Sequence, residues 1–289
     1  MASIRPWLLV GLVLLAGSSA RGAEIAVATL VDGDARLLRA TTCHKLVPGA
    51  RLEDGDIVAA GDRAQVHLEF TAGSLVNLVG AGTLYLVPPP AKPKSPAGAP
   101  SLVVPSGWIK VAAKAPGVQV RVASAEVAIA AGAVVMRTDG TTLNIFIESG
   151  SARITELAPS GAGQAARDAK HDEYWSRSAT GAFVPSTRPP RAFVEAMPRH
   201  FVDALPSFAG KFKTRPALVA DREITYAEAE PWLAGRDRAV FERRFASRLR
   251  DPVFRRAVEP DVARYPTWDR RLHPEKYAPP PVPKPPPSP

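Results

Sequence analysis

Apolar and polar residues alternate along the first half of the chain, and after Arg191 they change to a three- and four-residue rhythm. The clearest alternation is Ala64, Val66, Leu68 and Phe70 against Gln65, His67 and Glu69, the period of a strand with one buried face. It lies within a meander from Leu46 to Val87, punctuated by Asp54-Gly55, Ala72-Gly73 and Gly80-Ala-Gly82, where tight turns are expected. Ahead of it, Glu24–Val31 reads as a first strand turned at Asp32-Gly33. Ala35–Ala40 returns, with Leu37 and Leu38 too close together to define a face.

The pattern resumes after residues 88–100, a proline-rich stretch that reads as an exposed extended loop. Gly107–Val111, Val118–Val122, Glu126–Ala130 and Ala133–Met136 read as separate strands, and Asp139-Gly140 as a hairpin turn. Leu143, Ile145 and Ile147 face one way while Asn144, Phe146 and Glu148 face the other. Ser149-Gly150 then turns the chain into Ser151–Leu157. Residues 158–190 read as a linker that holds a last hairpin at most.

From Arg191 the spacing predicts short helices. Phe193, Val194 and Met197 precede Pro198, and Phe201, Val202 and Leu205 precede Pro206. Thr225 and Glu228 have capping-box spacing ahead of a helix towards Trp232-Leu233, with Pro231 expected to kink or restart it and Gly235 to stop it. Val240, Phe241, Phe245 and Leu249 form an amphipathic stripe among arginines, and Asp251-Pro252 starts another helix with Phe254 and Val258 on its apolar side. Residues 265–277 are aromatic but irregular. The tail 278–289 is proline-rich and reads as disordered.

The segment around the meander resembles the FecR domain of bacterial periplasmic proteins. The matching residues are Leu46, Gly49, Leu52, Gly55-Asp56-Ile57, Gly61, Ala64–Phe70, Gly73-Ser74-Leu75 and Leu84-Tyr-Leu86, and the likeness extends to about Leu157. Glu148-Ser-Gly150 fills the family's acid-and-glycine place before a final strand. Its threonine-proline and glycine-threonine run is replaced by Val122-Ala-Ser124 and Ala131-Gly132. The resemblance implies an antiparallel roll or sandwich over residues 24–157; with the short helices that the spacing predicts at 191–277 as an accessory region, the expected fold is mainly β. The resemblance names no reaction. Family members that span the membrane carry a cytoplasmic segment controlling a sigma factor. With Met1–Pro6 alone ahead of the apolar run, that role is not expected here.

Composition adds a compartment. Residues 1–23 combine Arg5, an apolar run from Trp7 to Ala16 and the small residues Gly17–Ala23, the three parts of a secretory signal. About ten apolar residues are too few for a comfortable transmembrane helix. The expected location is therefore periplasmic or extracellular, an uncleaved N-terminal anchor being the alternative. Cys43 is the sole cysteine, so no internal disulfide forms. The chain carries a net charge of +9, distributed unevenly: residues 24–164 hold 12 basic and 12 acidic side chains, residues 165–289 hold 23 and 16. A basic surface outside the cytoplasm suits an envelope protein or an anionic envelope polymer rather than nucleic acid.

The five histidines are scattered without metal-ligand spacing, and no G-x-S-x-G, H-E-x-x-H or Walker sequence occurs. Asp54, Asp56 and Asp62 lack the ordered ligands of a calcium loop. No catalytic, cofactor or metal residues are expected, and the expected function is protein–protein interaction or scaffolding. Phe146, Arg243, Arg244, Arg248 and Trp268 are the expected partner contacts. The alternatives are a peptidoglycan- or glycan-binding module stacking sugars on Trp108, Trp175, Trp232 or Trp268, and, less favoured, an envelope hydrolase.

Overall fold

A computed structural model describes residues 23–89, 98–158 and 162–277. The leader, most of the proline-rich loop and the proline-rich tail lie outside the described residues. The fold is mainly β, a large and mostly antiparallel open sheet with short helices towards the C-terminus. The strands are β1 (Glu24–Asp32), β2 (Ala35–Arg39), β3 (Thr42–Lys45), β4 (Arg51–Glu53), β5 (Ile57–Ala60) and β6 (Gln65–Phe70). After them come β7 (Leu75–Leu86), β8 (Ser101–Ala113), β9 (Val118–Arg121), β10 (Ala125–Thr138) and β11 (Leu143–Leu157). Residues 158–190, expected to hold one hairpin at most, supply three strands: β12 (Gly163–Lys170), β13 (Tyr174–Arg177) and β14 (Val184–Ser186). A further strand, β15 (Ala220–Glu223), pairs with β3 from within the helical region. The β8–β9 pair is parallel.

Two of the expected strand breaks are not breaks. Glu126–Ala130 and Ala133–Met136 are halves of β10, and Leu143–Ile147 and Ser151–Leu157 are halves of β11. In β10 the core-facing residues are Val127 and Ile129, then Val134 and Met136. In β11 they are Ile145 and Ile147, then Ala152 and Ile154. Odd positions give way to even ones because the pairing slips between Ile129 and Ala131 and again between Ala133 and Val134. Gly132 and Gly150 face each other at this slip, with φ of +113° and +75°. A strand without it would turn two large apolar side chains outwards, at roughly 1.5–3 kcal/mol each. A glycine inside a strand costs only about 0.5–1 kcal/mol, so the bulge wins.

Both halves of the long strands therefore point into one core, which the sheet curls around. Leu37 belongs to that core and Leu38 to the opposite face, which explains their adjacency: β2 is covered on both sides. The second cover is helical: α1 (Arg191–Ala196), α2 (Tyr226–Ala234), α3 (Arg238–Phe245), α4 (Pro252–Val258) and α5 (Pro266–Leu272). Thr225 and Glu228 form the expected capping box. Asp251 accepts from the Val253 N–H ahead of Pro252. Helix α2 runs through Pro231 without restarting, and the irregular stretch after Tyr265 includes α5. Helices α2–α5 bury Trp232, Phe241, Phe245, Phe254 and Trp268 against Leu38, Ile57 and Tyr85. Residues 197–219 carry no strand and no α-helix and cross another part of the outer face.

Candidate functional site

The helical layer is held to the sheet by a guanidinium. Arg244 donates to the carbonyls of Ala40 (2.7 Å), Leu38 (3.0 Å) and Gly55, which end β2 and turn the chain before β5. Burial pulls its pKa down, opposed by Tyr85 and Asp56. Arg248 is likewise spent within the protein, on Asp251 at 2.6 Å and the Ile224 carbonyl at 3.2 Å. Trp268 is fully buried, its indole N–H donating to the Glu242 carbonyl at 2.9 Å. Phe146 packs with Val135, Tyr174 and Phe193 under α1. Trp268 is thus buried, and Phe146, Arg244 and Arg248 are half-buried with their polar or apolar groups engaged within the protein. Of the expected contacts, Arg243 faces solvent.

What the layer presents to solvent is cationic. Residues 236–277 contain twelve Arg or Lys and seven Asp or Glu. Five of the seven acids have an arginine or lysine partner: Asp237 with Arg121, Glu242 with Arg238, Asp251 with Arg248, Asp261 with Arg264, and Asp269 with Lys276, while Glu259 and Glu275 share His273, which carries charge only when protonated. Arg243, Arg250, Arg255 and Arg256 are exposed and make no ion pair with a described residue. Arg236, Arg270 and Arg271 are exposed without an ion pair to a described residue as well, but Arg236 and Arg271 donate to the carbonyls of Ala123 and Ala246 and Arg270 lies over the Tyr277 ring, so the exposed guanidinium groups with no such contact stand on α3, α4 and the turn between them.

A second feature was missed in the sequence. Partner positions His67, Asn77 and Lys110 sit side by side on β6, β7 and β8, with the side chains on the outer face. All three are buried. The Lys110 ammonium meets three acceptors, the Glu148 carboxylate at 2.6 Å and the carbonyls of Phe201 (2.7 Å) and Asp203 (2.9 Å), one for each of its N–H groups. At the other end of the row Glu69 accepts from the Ser207 hydroxyl (2.6 Å) and from the N–H groups of Phe208 (2.9 Å) and Ala209 (2.8 Å). Residues 201–209 thus form a strap gripped mainly by its backbone. Burial alone would raise the Glu69 pKa. The hydrogen bonds from Ser207, Ala209 and Phe208 outweigh it and hold the carboxyl below its ordinary value.

Between the two clamps His67 bonds through Nδ1 to the Thr29 hydroxyl at 2.5 Å, with the Phe208 ring edge-on at 6.2 Å. Burial pushes its pKa down and Glu69 opposes this. His67 Nε2 and Asn77 Oδ1 have no hydrogen-bond partner among the described residues. The available signal was Lys110 itself, a lysine inside the apolar run Trp108–Val111. Glu148, the acid just ahead of the Ser149-Gly150 pair, is the counter-ion.

Other candidates dissolve on inspection of their surroundings. Trp175 and Trp232 are buried, and Trp108 is half-buried between Phe193 and Arg137, so these rings offer little stacking surface for sugars. Cys43 is a buried thiol whose pKa burial pushes up. No group of three or more His, Cys, Asp or Glu among the described residues is placed to hold a metal ion. A groove of about 340 Å³ over β9–β12 is lined by small residues, including Gly117, Ala128, Ala130 and Ser151, with the Arg153–Asp168 pair beside them. No described helix is long and apolar enough to cross a membrane.

No family model and no curated protein matches the chain. It is similar to two crystal structures of a proposed anti-sigma factor from Parabacteroides distasonis. One is 11% identical with a TM-score of 0.38, over 48% of this chain and 64% of that one. The other is 10% identical with a TM-score of 0.36, over 46% and 59%. The chain thus spans less than two thirds of the length of either, and a likeness at this level carries no argument about function.

Proposed function

We propose that the chain is a non-enzymatic interaction or scaffolding protein of the bacterial envelope, built on a FecR-like β domain and exported by its N-terminal leader. Its contact surface is the arginine face of α3 and α4, and its partner is an anionic component of the envelope, whether protein, polymer or lipid headgroup. One observation carries this reading: five of the seven acids of residues 236–277 are already paired with arginine or lysine, while Arg243, Arg250, Arg255 and Arg256 are free of ion pairs with the described residues. Ionisable groups that cross between elements support it, since Lys110, Glu148, Glu69 and Arg244 all serve to fasten one part of the protein to another. Such a rigid mount suits a surface that must keep its shape in a complex.

Affinity capture from envelope extracts tests the proposal, run in parallel with the chain and a variant in which the four arginines are changed to glutamate. A partner recovered by the first and lost by the second is the expected result. Equal recovery by both, or recovery of no protein, polymer or lipid above background, overturns it. Fractionation against periplasmic and cytosolic markers tests the compartment separately.

A further inference from the structure

The solvent-facing side of α3 and α4 carries more than charge. Along α3 and the turn after it, Val240, Arg243, Ser247 and Arg250 follow one another at three- and four-residue steps, and all are exposed. Along α4 and just beyond its end, Val253, Arg256 and Pro260 do the same. Phe241, Phe245, Phe254 and Val258 of the same elements are buried, so these two stripes are what the layer shows to its surroundings. Val253, at 75%, is the most exposed large apolar side chain among the described residues, and Val240 is 40% exposed. Both stripes thus mix unpaired guanidinium groups with apolar side chains, and neither contains an unpaired acid.

Resting on the reading above that this face is the contact surface, we propose that its partner is a membrane surface of anionic lipid headgroups. Guanidinium forks match phosphate oxygens two at a time. The valines between them match the boundary where headgroups give way to acyl chains. An acidic protein segment would answer the four charges but leave Val240 and Val253 in water, so the lipid surface accounts for both halves of the pattern. A basic side chain near such a surface raises partitioning about fivefold, and four of them raise it several-hundredfold at low salt. That gain falls as the Debye length shortens.

The experiment is co-sedimentation of the full chain with phosphatidylcholine vesicles, with and without phosphatidylglycerol. A variant carrying Arg243→Gln, Arg250→Gln, Arg255→Gln and Arg256→Gln is run beside it. Both proteins contain the same apolar N-terminal run, so their difference reports the helical face. Circular dichroism confirms that the variant is folded, as expected for four exposed positions. The expected result is binding to the phosphatidylglycerol vesicles that the variant weakens about a hundredfold or more, that salt weakens in the wild type, and that Val253→Ser weakens several-fold. Equal binding by chain and variant overturns the proposal. So does displacement by inorganic phosphate beyond that of chloride at equal ionic strength, which would mark a free-phosphate site. Binding to soluble polyglutamate but not to either vesicle overturns the lipid assignment and leaves the anionic-partner reading standing. Binding to neither vesicle nor polymer overturns both.

Discussion

The ammonium of Lys110, fully buried on β8, stands 2.6 Å from the carboxylate of Glu148, two strands away on β11. The pair lies beneath the strap that begins at Phe201, and the same ammonium takes the carbonyls of Phe201 and Asp203. A charge taken out of water is tolerable when each of its donors finds an acceptor, and here each does.

Removing one half of that pair should therefore cost more than removing both. Lys110→Met leaves the Glu148 carboxylate and two carbonyls without their donor, an expected loss of about 3 kcal/mol in urea unfolding. Lys110→Met combined with Glu148→Gln should recover part of it. A double variant as unstable as the sum of the two single variants would show that the pair is not coupled.

His67 sets an acid limit on stability. Burial depresses its folded pKa, so the unfolded chain binds the proton more readily, and acidification below the unfolded value of about 6.5 favours unfolding. Above about pH 6.5 His67 is neutral in both states and contributes no pH dependence. As the pH falls further it draws stability down. The Glu69 carboxyl, held low by the strap, loses its contribution only at still lower pH, below its ordinary value of about 4.3. Melting temperature followed from pH 7.5 to 5 should decline in the wild type and flatten in His67→Gln, and an equal decline in both would contradict the assignment.

At the slip of β10 against β11, a Cβ on Gly132 would stand 2.1 Å from the Ser149 carbonyl oxygen, and one on Gly150 would stand 2.2 Å from that of Ala131. Backbone cannot retreat as a side-chain tip can. Gly132→Ala and Gly150→Ala should each destabilise by several kcal/mol, on the order of 3 or more, or prevent folding. Gly210→Ala, with nothing within 4 Å, is the matched control and should stay within about 0.5 kcal/mol.

Arg244 fastens the helical layer through three main-chain acceptors. Replacing it with methionine keeps the bulk and loses the donors, an expected cost of about 2–4 kcal/mol given that hydrogen bonds to charged groups run at about 1.5–3 each and are not additive. Hydrogen exchange should rise in residues 226–272 before it rises in β6–β8. Arg243→Met, one residue earlier and exposed, should leave exchange unchanged.

Much of the fold could be read directly from the chain because the forces involved are local. Alternation assigns the faces of β6, β9 and both halves of β11, since each side chain's direction follows from its own residue number. Thr225 with Glu228, and Asp251 with Pro252, start their helices with groups at most three residues away. The same rule misread β10 and β11 as four strands. A bulge shifts the parity by one, and in a one-dimensional pattern that shift cannot be told from the end of an element.

The candidate surfaces were a different matter, because what covers a residue is decided by chain far from it. Lys110 and Phe201 are 91 positions apart, and Arg244 and Leu38 are 206 apart. Alternation says that Lys110 shares a face with Trp108 but not that this face is roofed over. Periodicity places Arg243 and Arg244 on one helix but not which of them meets water. The sequence by itself determined a glycine-hinged β scaffold followed by arginine-bearing helices. Tertiary packing alone decided that Arg244, Arg248, Trp268 and Phe146 would be consumed in holding it together, and that Arg243, Arg250, Arg255 and Arg256 would be left outside, because burial is a property of segments meeting in space.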